Sequence, residues 1–187
     1  SLHEAMRHLV FPGGKRIRPL FAMAAAEAIG APPESSLPVG VAVELIHTYS
    51  LIHDDLPCMD DDDLRRGRPT VHVKYGEAVA VLAGDALLTA AFEVVSAAAE
   101  SHGADRAIVA IHDLSCVSGA AGLVGGQVDD LAFDRENHSV AAVESVHERK
   151  SAALIAGAIA AGAGIAGADE AMRERLRRFG YEVGVAF

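Results

Sequence analysis

The chain has 187 residues, long enough to bury a real core as one domain, and 51% of them are hydrophobic with no tryptophan. Sixteen Lys and Arg against 26 Asp and Glu leave a formal charge of −10, which argues against nucleic acid as a partner, since neutralising phosphates needs a net basic surface. Its two cysteines, Cys58 and Cys116, give no disulfide framework and fit a reducing cytoplasm.

Residues 2–11 read as the tail of a helix, stopped by Pro12-Gly13-Gly14. Lys15-Arg16-Ile17-Arg18-Pro19 follows, and Pro19 suits the first turn of a helix running to about Gly30. Cations at a helix start add side-chain charge to free backbone N–H groups, so this stretch reads either as a diphosphate seat or as an exposed basic turn. Residues 31–36, with two prolines, form a loop. The spacing of Ala42, Leu45, Ile46, Tyr49, Ile52 and Leu56 then predicts an apolar helix over 38–56, with His47, Ser50 and Asp54 on another face. Pro57 should bend or end that helix near residue 56, because its ring clashes with the carbonyl four residues back.

That helix delivers His53-Asp54-Asp55-Leu56-Pro57-Cys58-Met59-Asp60-Asp61-Asp62-Asp63-Leu64-Arg65-Arg66-Gly67-Arg68-Pro69-Thr70, in which six carboxylates fall within ten residues and three arginines follow within the next five. Mutual repulsion makes such a cluster costly unless cations fill it. Hard oxygen ligands suit Mg²⁺, which is satisfied by one or two carboxylates with water and substrate phosphate. The planar fork of arginine matches phosphate oxygens two at a time. The bland reading is a solvated acidic turn followed by a basic one. Such a turn does not need a mostly apolar helix to aim it.

Residues 77–100 form a long apolar helix ending near His102-Gly103, with Asp85 in a structural role. A further helix over 104–128 ends in Gly125-Gly126-Gln127-Val128-Asp129-Asp130-Leu131, and Asp134–Ser139 is a polar loop. From Val140 a helix brings Glu144, Glu148, Lys150 and Ser151 into an Ala/Gly-rich run that reads as a buried helix. Asp169 caps the final helix, whose Arg173, Arg175, Arg177 and Arg178 look like a solvated face. No uncharged apolar stretch of about eighteen residues stands clear of the glycine-rich helical ones, so no membrane span is predicted; Ser151–Ala168 comes nearest. No signal peptide is visible, and Ser1 need not be the true start. No repeat, low-complexity linker or domain boundary interrupts residues 1–187.

The segment Leu51–Asp60 together with Leu64–Thr70 resembles the first aspartate-rich motif of trans-prenyl diphosphate synthases. The likeness is strongest to the bacterial farnesyl and plant-type geranylgeranyl group, whose motif is Asp-Asp-x₄-Asp. Phe11–Pro19 resembles the family segment that holds isopentenyl diphosphate, and Lys150-Ser151 the family's Lys-Thr pair, with serine keeping the hydroxyl. Tyr181–Phe187 resembles the lead-in to the second aspartate-rich motif. The resemblance covers essentially the whole chain and implies one incomplete prenyl synthase domain over 1–187, without that second motif and the C-terminal helices.

What the resemblance implies is specific. The fold is all-α, an antiparallel helical bundle around a central cavity, as in class I isoprenoid synthases. The reaction is Mg²⁺-dependent condensation of isopentenyl diphosphate with an allylic diphosphate. Asp54 and Asp60 hold the metal with Asp55 close by; Arg65 and Lys150, with Ser151, take the allylic diphosphate; Lys15, Arg18, His47 and Arg66 seat isopentenyl diphosphate; Gln127 and Asp130 face the cavity. Catalysis thus falls to Asp54, Asp55, Asp60, Arg65 and Lys150. Ser50 and Tyr49, four and five residues before the first aspartate, line the floor of the elongation tunnel, and the bulky tyrosine predicts farnesyl diphosphate, with the geranylgeranyl product as the alternative. A cytoplasmic homodimer without a membrane span completes the implication.

Other readings fit less well. A terpene cyclase would not need a second diphosphate site at Lys15 and Arg18. Non-catalytic subunits of heteromeric synthases usually lose motif aspartates, and all are present here. A calcium-binding loop fails because the Asp-x-Asp-x-Asp-Gly spacing and the closing Glu are missing.

Overall fold

An Ala- and Leu-rich sequence with apolar residues at helical spacing folds, as expected, almost entirely into helices; the computed structural model describes residues 1–133 and 139–187. In chain order these are α1 (Leu2–Val10), α2 (Ile17–Ala28), a 3₁₀ turn (Pro33–Ser36), α3 (Leu37–Asp54), α4 (Val71–Tyr75), α5 (Glu77–Ala97) and α6 (Ala99–His102). α7 (Ala104–Ser118), α8 (Leu123–Leu131), α9 (Val140–His147), a π-helical turn (Glu148–Ala152), α10 (Ala153–Ala166) and α11 (Glu170–Ala186) follow. Between α3 and α4 lies a small antiparallel hairpin, β1 (Leu64–Arg65) with β2 (Arg68–Pro69). The predicted loop at 134–138 is outside the described residues; Ser139 caps α9, its Oγ accepting from the Ala142 amide at 3.2 Å.

The chain, read from sequence as one domain, divides into two compact units, Ser1–Arg16 with Glu44–Glu93 and Ile17–Val43 with Val94–Phe187. The first is built on the C-terminal part of α3, whose Ile46, Tyr49 and Ile52 are buried, and on α5, which buries Ala80, Ala83, Leu87 and Ala91. Its α1 and α4 meet through His8 and Tyr75, whose rings lie edge to face at 5.6 Å. In the second unit α10 is apolar on all sides, and Ala153 through Ile165 are buried, as the sequence predicts. α2, α7 and α11 pack on it, with Ile155, Ile159 and Ala163 against Ala25, Phe21 and Leu176.

Three expectations change. The helix predicted over 104–128 breaks after Ser118 and restarts at Leu123. The corner at Gly122 leaves no room for a side chain, since a Cβ there would lie 2.0 Å from the Val117 carbonyl oxygen. The arginines of α11 are not all solvated. Arg177 donates to Asp113 Oδ1 at 2.8 Å and Arg173 lies 3.8 Å from Oδ2, and this carboxylate of α7 is only 1% exposed. Arg178, paired with Glu174, does lie on the exposed face. Third, three helical stretches, Pro33–Asp54, Glu77–His102 and Ala104–Leu131 (the last interrupted at the Gly122 corner), reach membrane-spanning length and apolarity by length and composition alone. Each carries a few charges, so none contains an uncharged run of that length, yet their mean hydropathies reach 1.2 to 1.9.

Candidate diphosphate and metal site

In the first unit, α3 ends at Asp54, two residues ahead of where Pro57 alone would place the stop, and the chain folds back on the helix end. The Asp60 amide donates to the Asp54 carbonyl oxygen at 2.9 Å, and the Asp62 amide to the Asp55 carbonyl oxygen at 3.2 Å. Backbone bonds therefore bring the two ends of the Asp-Asp-x₄-Asp segment together without using a carboxylate. Asp60 is exposed and Asp54 half-buried, while Asp55 is fully buried.

Asp55 is taken up by Arg65. The guanidinium Nε donates to Asp55 Oδ1 at 2.6 Å, and Arg65 also lies 3.6 Å from Asp62. Burial pushes the Asp55 carboxyl up, and the hydrogen bond and charge of Arg65 oppose that rise. The other oxygen, Oδ2, is buried with no hydrogen-bond partner among the described residues. Asp55 is thus joined to Arg65, and the arginine reaches it from β1.

The hairpin sets the arginines apart. Arg65 pairs with Arg68, leaving Arg66-Gly67 as a two-residue loop, and both loop residues have positive φ (54° and 74°), the condition for a tight turn matched to strand twist. This turns Arg66 outward, where it is exposed. Arg68 faces the other way and donates to the carbonyl oxygens of His8 (3.1 Å) and Phe11 (2.9 Å) at the end of α1. His8 in turn donates from Nε2 to the Pro69 carbonyl at 2.8 Å. Three arginines of one motif therefore have three surroundings: a carboxylate, backbone carbonyls, and solvent.

The Gly13–Arg16 loop lies beside Arg66, close enough that a Cβ on Gly14 would come within 2.7 Å of the Arg66 guanidinium. Arg16 is held in a left-handed conformation (φ 57°) and bonds Glu44 of α3 and the Val10 carbonyl oxygen, so it shapes the loop that presents the exposed Lys15. His47 lies one turn beyond Glu44 on α3, and its carbonyl oxygen accepts from Ser50 Oγ at 2.9 Å. Tyr49 is buried, and burial pushes its hydroxyl pKa up.

The second unit contains Arg18 in the first turn of α2, Gln127 on α8, and Lys150 and Ser151 in the π turn. A π turn inserts an extra residue into a helix and is frequent at functional sites. It is clasped to α8: Lys150 Nζ donates to Asp130 Oδ2 at 2.6 Å, Arg149 pairs with Asp129, and Arg149 Nη2 also donates to the Ala120 carbonyl at 2.8 Å. A Cβ at Gly126 would lie 2.3 Å from the Lys150 amide nitrogen, so that glycine is what lets α8 approach. Asp130 was expected on the cavity side; its partnership with Lys150, and the roles of Arg16, Arg68 and Asp113, had no local signal in the sequence.

No group of three His, Cys, Asp or Glu side chains among the described residues converges to hold a metal ion. The donor types at the end of α3 nevertheless suit Mg²⁺: Asp54 and Asp60, whose side chains are solvent-accessible, stand on residues whose backbones are hydrogen-bonded to each other, and hard carboxylate oxygens are the ligands that ion takes.

Residues 1–187 match the family model described as Polyprenyl synthetase. The chain is 46% identical over 188 residues to the farnesyl diphosphate synthase of Bacillus subtilis, covering all of this chain and 64% of that protein. It is 46% identical over 192 residues to the chloroplastic heterodimeric geranylgeranyl pyrophosphate synthase large subunit 1 of Arabidopsis thaliana, again over the whole chain but 52% of the relative. The chain thus spans about half to two-thirds of the length of these curated relatives. Among solved structures, an FPP/GFPP synthase from Zymomonas mobilis superposes with a TM-score of 0.92 at 41% identity, covering all of this chain and 68% of that one.

Proposed function

Because the chain belongs to the polyprenyl synthetase family, we propose that the protein containing it condenses isopentenyl diphosphate with an allylic diphosphate to make a short-chain trans-prenyl diphosphate, chiefly farnesyl diphosphate. The observation that bears most on this reading is the closed Asp54–Asp60 turn, with Arg66 and the Lys15 loop beside one another in the same unit.

Asp54 and Asp60 would hold Mg²⁺, and Asp55 acts from behind as a positioning residue, fixing Arg65 near them. Bound Mg²⁺ supplies Lewis-acid stabilisation of the diphosphate leaving group. Arg65 and Lys150, with the Ser151 hydroxyl, neutralise the allylic diphosphate as its C–O bond breaks and inorganic diphosphate departs. Lys15, Arg18, His47 and Arg66 orient isopentenyl diphosphate so that its terminal alkene carbon bonds to C1 of the allylic cation. Loss of one proton from C2 of the adduct, to the departing diphosphate, restores neutrality and leaves the new double bond. Gln127 lines the site on the α8 side. Tyr49, with Ser50 beside it, ends the tunnel for the growing chain. A geranylgeranyl product is the alternative, and relatives of both kinds match the chain.

We read the assembly as a homodimer in a reducing, cytoplasmic setting. Cys58 and Cys116 are both free and exposed, which suits reducing conditions. Exposed apolar side chains in the membrane-length helices, among them Leu82, Ile108 and Val128 (56%, 63% and 61% exposed), would be covered by a second copy rather than by lipid. The mass of the full-length protein in detergent-free buffer tests this.

The test of the site is Asp54→Ala and Asp60→Ala in the full-length protein. Each should cut turnover by orders of magnitude while leaving helicity by circular dichroism unchanged. Near-normal Mg²⁺-dependent turnover in either variant would remove that residue from the metal site.

A further inference from the structure

Tyr49 and His53 lie one turn apart on α3, and their rings meet edge to face with centroids 5.7 Å apart at 79°. His53 is gripped from its other side by α5. Its Nε2 donates to the Val81 carbonyl oxygen at 3.0 Å. The imidazole also fills the space that a side chain at position 84 would occupy, since a Cβ on Gly84 would lie 2.1 Å from Nε2 and 2.5 Å from Cδ2.

Gly84 lies well inside α5 and is not among the glycines with positive φ. Glycine in a helix interior is unfavourable relative to alanine, and no backbone conformation calls for it here. What its missing side chain provides is a socket for the His53 ring, completed by the Val81 carbonyl. A side chain free to change rotamer makes a poor stop for a growing chain, and an aromatic ring backed by a second, fixed ring makes a good one.

We propose that His53 and Gly84 are specificity-determining residues for product length, acting through Tyr49: the socketed imidazole backs the tyrosine ring and keeps it across the path of the growing prenyl chain. This rests on the reading of Tyr49 as the tunnel stop. His53 touches no reacting atom and is a positioning residue. Gly84→Ala drives the imidazole out of its socket, and His53→Ala removes it, and in both Tyr49 is left intact but unbacked.

The experiment is product-length analysis of the full-length protein with Tyr49→Ala, Gly84→Ala, His53→Ala and the Tyr49→Ala/Gly84→Ala double variant, each normalised to total product. The expected result is a shift of the main product from C15 to C20 or longer in all three single variants, with the double variant no longer than Tyr49→Ala alone. A merely structural role for His53 and Gly84 would lower turnover or yield and leave chain length unmoved. If Tyr49→Ala lengthens the product while Gly84→Ala and His53→Ala keep the wild-type distribution, the backing role is overturned and the tyrosine stop stands. If Tyr49→Ala itself changes nothing, the tyrosine reading fails and this inference fails with it. Should Gly84→Ala not fold, His53→Ala, which only removes bulk, decides the matter.

Discussion

Asp55 and Arg65 show how one motif divides its work among residues of the same type. Asp54 and Asp60 remain accessible, whereas Asp55 is buried and bonded to Arg65. Removing the arginine would leave a fully buried carboxylate without its hydrogen-bonded counter-charge. Such a loss costs about 3–5 kcal/mol in buried pairs. Arg65→Ala should therefore lower the urea midpoint of the full-length protein as well as its turnover, and Asp55→Asn/Arg65→Gln, which removes both charges, should recover part of the stability but not the activity. Equal stability of Arg65→Ala and wild type would show that the pair does not hold the turn. The identities of these residues were legible in the sequence because the charges are contiguous. Their partners were less so: Arg68 finds its acceptors 57 and 60 residues away, and nothing local to it announces them.

At the scale of elements, the long apolar helices, the Pro-Gly-Gly stop after α1 and the Asp169 cap of α11 could all be read from spacing and composition; the Met172 amide does donate to Asp169 Oδ1, at 2.8 Å. The break between α7 and α8 could not, because apolar residues continue on both sides of it, and the corner depends on a close approach of Gly122 to Val117 that only glycine permits. The π turn was equally hidden, since one added residue barely disturbs helical periodicity. The α11 arginines look solvated in the sequence for a different reason: their partner, Asp113, lies 64 residues upstream of Arg177. Asp113→Ala removes the buried carboxylate shared by Arg173 and Arg177, leaving Arg177 only the half-exposed Glu174, and should destabilise the protein by about 3–5 kcal/mol, read as a fall in the denaturation midpoint. Arg178→Ala, on the exposed face of the same helix, should change stability by less than about 0.5 kcal/mol. Comparable losses in the two variants would contradict a buried clamp between α7 and α11. Gly126→Ala should push α8 off the π turn and raise KM for the allylic diphosphate by disturbing Lys150, an effect that unchanged kinetics would refute.

For the molecule as a whole, composition predicted helices, and the charge of −10 argued against nucleic acid; neither pointed to a reaction. The aspartate-rich segment and the Lys15 loop did, because metal and diphosphate chemistry demands particular residue types at particular spacings. The division into two units follows α3 and α5, each of which contributes residues to both, so no linker marks it in the sequence. The central claim is Mg²⁺-dependent prenyl transfer, and its most direct test is to incubate the full-length protein with dimethylallyl and isopentenyl diphosphates and to identify the products by mass. Farnesyl diphosphate is expected with Mg²⁺, none after EDTA, and recovery when Mg²⁺ is restored. No prenyl diphosphate at all, or equal turnover in EDTA, would contradict it.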